Sequence, residues 1–80
     1  MDNIQAMKII EDEELKNYNW FNDHEVSPNE ICIRKVNDHW SVFTSDERCS
    51  KISEELYQNK SKALEDFIER LKADKILRTL

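Results

Sequence analysis

The chain has no glycine and a single proline, Pro28, in 80 residues. Without glycine it cannot build the glycine-rich loops that cradle phosphates, and no glycine turn is present to form an oxyanion hole. Its turns must be made by Asn, Asp and Ser, which tolerate or stabilise left-handed backbone by themselves. Cysteine is almost as scarce. Cys32 and Cys49 match neither a CxxC knuckle nor a disulfide framework, so both are expected to be reduced thiols in a cytoplasmic protein. The two histidines, His24 and His39, show no HxH or HExxH spacing, so neither a metal nor a cofactor is expected. No run approaches about 18 apolar residues, and MDNIQAMKIIEDEEL has neither the basic start nor the apolar stretch of a signal peptide. The expectation is a protein made and kept inside the cell, away from the membrane.

What is present is charge, at 36% of residues, with 17 acids against 12 bases and a net charge of -5. Such a balance argues against general affinity for nucleic acid or anionic membranes, which demand a basic face. The placement matters more than the total. Residues 1–30 carry eight acids and two bases, a net of -6, whereas the remaining fifty carry nine acids and ten bases, a net of +1. Acidity concentrated in this way suits a surface that meets a basic partner, although a solvated helix face would also produce it. At this length one core buries only about 60–65% of the unfolded surface, so residues 1–80 are read as a single domain without room for a deep enclosed site.

Apolar periodicity organises the chain. Ile4, Met7, Ile9, Ile10 and Leu15 give an imperfect helical stripe from Asn3 to about Lys16, with Glu11, Asp12, Glu13 and Glu14 on the remaining face. Asn17 to Asn29 holds Tyr18, Trp20 and Phe21, room for a short strand before the Ser27-Pro28-Asn29 turn. EICIRKV-ND-HWSVFT then reads as a hairpin with Asn37-Asp38 as its loop. That loop sets Val36 opposite His39, Lys35 opposite Trp40, Ile33 opposite Val42 and Ile31 opposite Thr44. One face carries Ile31, Ile33, Val42 and Trp40, with the Lys35 stem along the indole; the other carries Cys32, Arg34, Ser41 and Phe43 and is expected to be partly open. Ser50 to Tyr57 is read as a polar edge strand with Ile52 and Leu56 inward and Lys51, Ser53 and Glu55 outward. After Asn59 or Ser61 as N-cap, Ala63, Leu64, Phe67, Ile68 and Leu71 recur at helical spacing. The predicted architecture is α+β: an N-terminal helix, a three-stranded antiparallel meander and a C-terminal helix packed on one face of the sheet.

Candidate chemistry is thin. A cysteine on a small hairpin is usually a packing residue, and no nucleophile, base and orienting group stand together, so the chain does not read as an enzyme. Asp46, Glu47 and Arg48 could form an acid pair with a cation. The simpler reading is that Arg48 pairs with these or neighbouring carboxylates and fixes the strand exit. Trp20 and Trp40 are expected in the core.

A tryptophan strand (HWSVF), a Glu-Arg tract (SDERC), a short strand (KISEELY) and an alanine-bearing amphipathic helix (KSKALEDFIERL) follow one another. In that order they resemble small bacterial immunity proteins of polymorphic toxin systems, in particular the α+β family called immunity protein 59. In that family a tryptophan strand leads into Glu-Arg-Gly and then a helix beginning near an alanine. The likeness runs from about Tyr18 to Leu71. Cys49 departs from it, standing where glycine is expected, so this chain should take a different turn there. The resemblance implies a cytosolic antidote that binds a cognate protein toxin, often a nuclease, and blocks it.

The residues accord with such a role, since an inhibitor needs a rigid complementary surface and no catalysis. Glu11, Asp12, Glu13, Glu14, Asp23 and Glu25 form the expected steering patch toward a basic cleft. Asp46, Glu47 and Arg48 form a second candidate patch, with Phe43 as an apolar anchor. The alternative is a small acidic phage-type inhibitor or nucleic-acid mimic that binds a host DNA- or RNA-handling enzyme; the irregular spacing of the acids counts against mimicry. A monomer is expected, while the edge strand from Lys51 to Tyr57 leaves strand pairing with a partner or a second copy open.

Overall fold

A computed structural model describes residues 1–80. In chain order the elements are helix α1 (Asn3–Asp12), strands β1 (Tyr18–Trp20), β2 (Ile31–Val36), β3 (His39–Ser45) and β4 (Lys51–Tyr57), and helix α2 (Lys60–Arg78). The architecture is α+β, but the sheet has four strands in the order β1-β2-β3-β4 and is mixed. β1 runs parallel to β2, while β2, β3 and β4 form the antiparallel part.

The expected meander therefore lacked one strand. Only three residues long, YNW cannot declare itself by alternation, and its partner lies across a crossover. The β1–β2 crossover, Phe21 to Glu30, is ten residues long, short for a parallel connection, which usually needs a dozen or more. Left-handed residues make that economy feasible. Phe21 (φ 51°) and Asn22 (φ 58°) turn the chain directly after β1, with the Asp23 amide donating to the Trp20 carbonyl, and Asn29 (φ 58°) turns it back before β2.

The β2–β3 hairpin takes the register expected from its loop, from Val36 opposite His39 to Ile31 opposite Thr44. Asn37 alone of the loop pair adopts a left-handed angle, φ 57°. Lys35 lies over the Trp40 ring, its ammonium 5.5 Å from the ring centre. β4 departs from its expected pattern. The register shifts between Val42 and Thr44, with Ser53 in the left-handed region at φ 54°, and this bulge reverses which face the following side chains occupy. Glu55 consequently lies opposite Val42 and Leu56 opposite Ser41. Leu56 points away from the core and is 59% exposed; Ile52 is 46% exposed.

Both helices cover the same sheet face. Ala63, Leu64, Phe67, Ile68 and Leu71 of α2 and Ala6 and Ile10 of α1 pack with Leu15, Ile31, Ile33 and Val42. Asn59 caps α2 by accepting from the Lys62 amide at 3.2 Å. The Met1 amino group donates to Ser61, and Lys72 and Lys75 reach Glu13, so α1 and α2 run parallel, side by side. This arrangement rotates α1 away from the predicted stripe: its small residue Ala6 allows the close approach, while Ile4 (81% exposed) and Met7 (39%) face out.

α1 stops four residues short of the predicted Lys16. The Leu15 amide donates to the Ile10 carbonyl and the Glu14 amide to the Glu11 carbonyl, the paired bonds of a Schellman motif, with Ile10 and Leu15 as its buried apolar contact. Glu14 occupies the left-handed position (φ 54°) that glycine usually fills. It also sets a carboxylate at the negative end of the helix. Glu14→Gly is therefore expected to stabilise the fold by about 0.5–1 kcal/mol, after the greater freedom of glycine in the unfolded chain is set against the relieved strain. A urea midpoint that rises at constant slope is the expected result, and one that falls would contradict this account of the cap.

Candidate functional site

Six acids were expected to form one surface, and the structure distributes them over two supports. Glu11, Asp12 and Glu14 lie exposed at the end of α1 and in its cap. Glu13 is partly exposed and pairs with Lys72 at 3.6 Å, a contact open to solvent and worth little in water. Asp23 and Glu25 lie exposed on the crossover. Trp20 connects the two supports, because its carbonyl accepts from the Asp23 amide while its side chain lines an open groove with Glu11. The groove, about 450 Å³, is completed by Asn3, Ile4, Met7 and Lys8. Trp20 is not fully interior: it packs on Phe67 at 5.9 Å and on Phe21 at 4.9 Å with part of its indole open. Sequence periodicity missed this apolar floor by assigning Ile4 and Met7 to the core.

The second candidate patch is a turn held by one side chain. Asp46 Oδ1 accepts from the Arg48 amide at 2.8 Å and the Ser50 amide at 2.9 Å, and the Asp46 amide and carbonyl bind Ser50 and Cys49. The strand exit is thus fixed by Asp46, not by ion pairs of Arg48, which makes none. Cys49 takes φ 63°, the angle a glycine would supply, so the expected different turn is not needed: the short-range bonds to Asp46 hold a cysteine in the left-handed region. Glu47 and Arg48 are exposed and half-buried Asp46 is occupied by backbone.

Phe43 is not available as an anchor. It is 0% exposed, on the sheet face opposite the helices, with the Arg34 guanidinium 4.6 Å and the Lys51 ammonium 5.3 Å from its ring centre. That face was expected to be partly open. The long stems of these cations and the crossover close it instead. Ser41 is also buried there, donating to Glu54 at 2.5 Å, a bond that lowers the Glu54 pKa. Burial, with help from the Glu30 charge, pushes the Cys32 thiol up to about 11, so it stays protonated and a poor nucleophile near neutral pH. Cys32 and Cys49 are both free.

The crossover is tied to this back face by polar bonds. Asn19 Nδ2 donates to the His24 carbonyl at 2.9 Å, the Glu30 amide donates to Ser45 Oγ at 2.8 Å, and Ser45 Oγ donates to the Ser27 carbonyl at 2.6 Å. His24 Nδ1 lies 2.6 Å from Asp23 Oδ1 and His24 Nε2 lies 2.6 Å from Glu30 Oε2. These hydrogen bonds, Glu30 first, raise the His24 pKa above its ordinary value. No sequence spacing announced that cluster, since it depends on how the crossover folds back.

No group of three or more His, Cys, Asp or Glu side chains is arranged to hold a metal ion, and no helix is long and apolar enough to cross a membrane. Comparison with protein-family models, curated proteins and solved structures finds no match to this chain.

Proposed function

We propose that this chain is a toxin-neutralising immunity protein, which binds a cognate bacterial protein toxin in the cytoplasm and blocks it. The observation that carries the reading is the exposed acidity of Glu11, Asp12 and Glu14 on α1 and its cap, beside a groove lined by Glu11, Ile4, Met7 and Trp20, with Asp23 and Glu25 exposed on the crossover that follows β1. Acids of one sign steer a basic partner, and the exposed apolar side chains of the groove beside Glu11 supply the contact that holds it. A nuclease offers such a basic surface, because its cleft must receive phosphate. The protein acts as a monomer in a one-to-one complex, and Glu47 and Arg48 form a secondary rim.

The test is capture of the tagged protein with its partner at low and high salt, followed by association kinetics for the identified toxin. Reversing Glu11, Asp12 and Glu14 to lysine is expected to slow association by about tenfold or more at low ionic strength and to flatten its salt dependence. An unchanged rate with unchanged salt dependence would remove acidic steering from the proposal. Recovery of a host enzyme that handles DNA or RNA, in place of a toxin, would overturn the immunity reading itself.

A further inference from the structure

We propose that His24, set between Asp23 and Glu30, is a proton-dependent latch that holds the Phe21 to Glu30 crossover against the back of the sheet. The argument is one of hydrogen-bond inventory. Each ring nitrogen of His24 stands 2.6 Å from a carboxylate oxygen. Only an imidazolium can donate at both nitrogens; a neutral ring donates once and turns a lone pair toward the other carboxylate. Loss of one proton therefore exchanges an attraction for a repulsion at a single contact, whichever tautomer results.

Glu30 makes the contact consequential. Its side chain is only 10% exposed, and His24 is its only cationic partner. Its other oxygen, Oε1, accepts from the Ser27 amide at 2.8 Å, so the carboxylate ties both the middle of the crossover and its end. A buried carboxylate that loses its counter-charge recovers by reaching water, and here it can do so only by lifting the crossover. The remaining neighbours cannot compensate. β1 presents Asn19 and β3 presents Ser45, both neutral, to this segment. β2 presents Arg34, which is engaged over Phe43, and Cys32, a neutral thiol whose pKa the Glu30 charge helps to raise. β4 presents Lys51, which also lies over Phe43, and Glu25, exposed on the crossover itself, adds negative charge. Both helices pack on the opposite face; the one helix cation that meets the crossover, Lys60 of α2, lies 5.6 Å from the Phe21 ring centre at its start and makes no ion pair with Glu30.

The sign follows from the raised His24 pKa. The latch is complete below the ordinary histidine value of about 6.5, while the two carboxylates remain ionised, and it is lost as pH rises through the higher folded value. The crossover carries Asp23 and Glu25, so its closure also sets how two of the partner-facing acids are displayed. The latch itself does not depend on the partner, and its test uses the free protein.

Cys32, 2% exposed beneath the crossover side of the sheet, reports the opening once exposed Cys49 is replaced by serine. In that background, alkylation of Cys32 by iodoacetamide is compared between the protein with His24 and His24→Gln from pH 5.5 to 8.5; the ratio of the two rates cancels the thiolate fraction. The variant is expected to react roughly two- to fivefold faster at pH 5.5, the scale of one partly exposed ion pair, with the ratio falling to unity at pH 8.5. A ratio independent of pH overturns the latch. In the unmodified protein, the Ser27 and Glu30 amide NMR signals should titrate with the same midpoint as the His24 ring, above about 6.5; amides that do not follow the ring overturn it equally, whether or not His24→Gln folds.

Discussion

Phe67→Ala is expected to remove about 3–5 kcal/mol of stability, the usual cost of emptying a phenylalanine site in a core that cannot collapse around it. Phe67 is fully buried at the centre of α2's inner face. Tyr18 meets its ring edge-on at 6.4 Å and Trp20 lies tilted at 5.9 Å, so a single side chain joins α2 to the β1 edge of the sheet. An 80-residue domain has only about 5–15 kcal/mol to lose, and at about 4–8 °C per kcal/mol the melting temperature should fall by tens of degrees. Tryptophan fluorescence, from Trp20 and Trp40, reads the change in a urea titration. A loss below about 1 kcal/mol would mean that α2 is not docked through this ring.

Arg70→Ala is the second large effect, at about 2 kcal/mol, because it breaks a charge-assisted network whose ion pair is partly buried. The guanidinium binds Asp66 at 2.9 and 3.3 Å, Thr44 Oγ1 at 3.2 Å and the Ser53 carbonyl at 2.7 Å. One side chain of α2 thus pins β3 and the bulge of β4. Asp66 also accepts from the Tyr57 hydroxyl at 2.7 Å, a bond that, with burial, pushes the Tyr57 pKa up to about 12. Arg70→Lys keeps the charge but not the fork, and should recover only part of the loss. Amide exchange in β4 should accelerate more than in β2 in both variants, since β4 has no strand on its outer side. Equal acceleration throughout the sheet would show that Arg70 contributes to global stability without anchoring the bulge.

The burial of Phe43 and the exposure of Ile4 and Met7 share one cause. Each was placed by counting along its own element, yet exposure is settled by what lies opposite. Ala6 lets α1 approach α2 on a face that periodicity ranked below the isoleucine stripe. Arg34 and Lys51, polar by type, cover Phe43 with their methylene stems. For the candidate site, the acidity of residues 1–30 was legible as composition, and the exposed positions of Glu11, Asp12, Glu14, Asp23 and Glu25 accord with it. The groove beside Trp20 was not, because it forms between α1 and a strand that itself pairs across a crossover.

The sequence by itself determined whatever depends on neighbours along the chain. The Asn37-Asp38 loop set the β2–β3 register, the spacing of Ala63, Leu64, Phe67, Ile68 and Leu71 set the buried face of α2, and the absence of glycine put asparagine at half of the left-handed positions, Asn17, Asn22, Asn29 and Asn37. Only the tertiary structure decided the parallel pairing of β1, the reversal of faces past Ser53, and the meeting of His24 with two carboxylates. These are contacts whose energies appear only when segments distant in sequence are brought together, and no local period or turn signal encodes them.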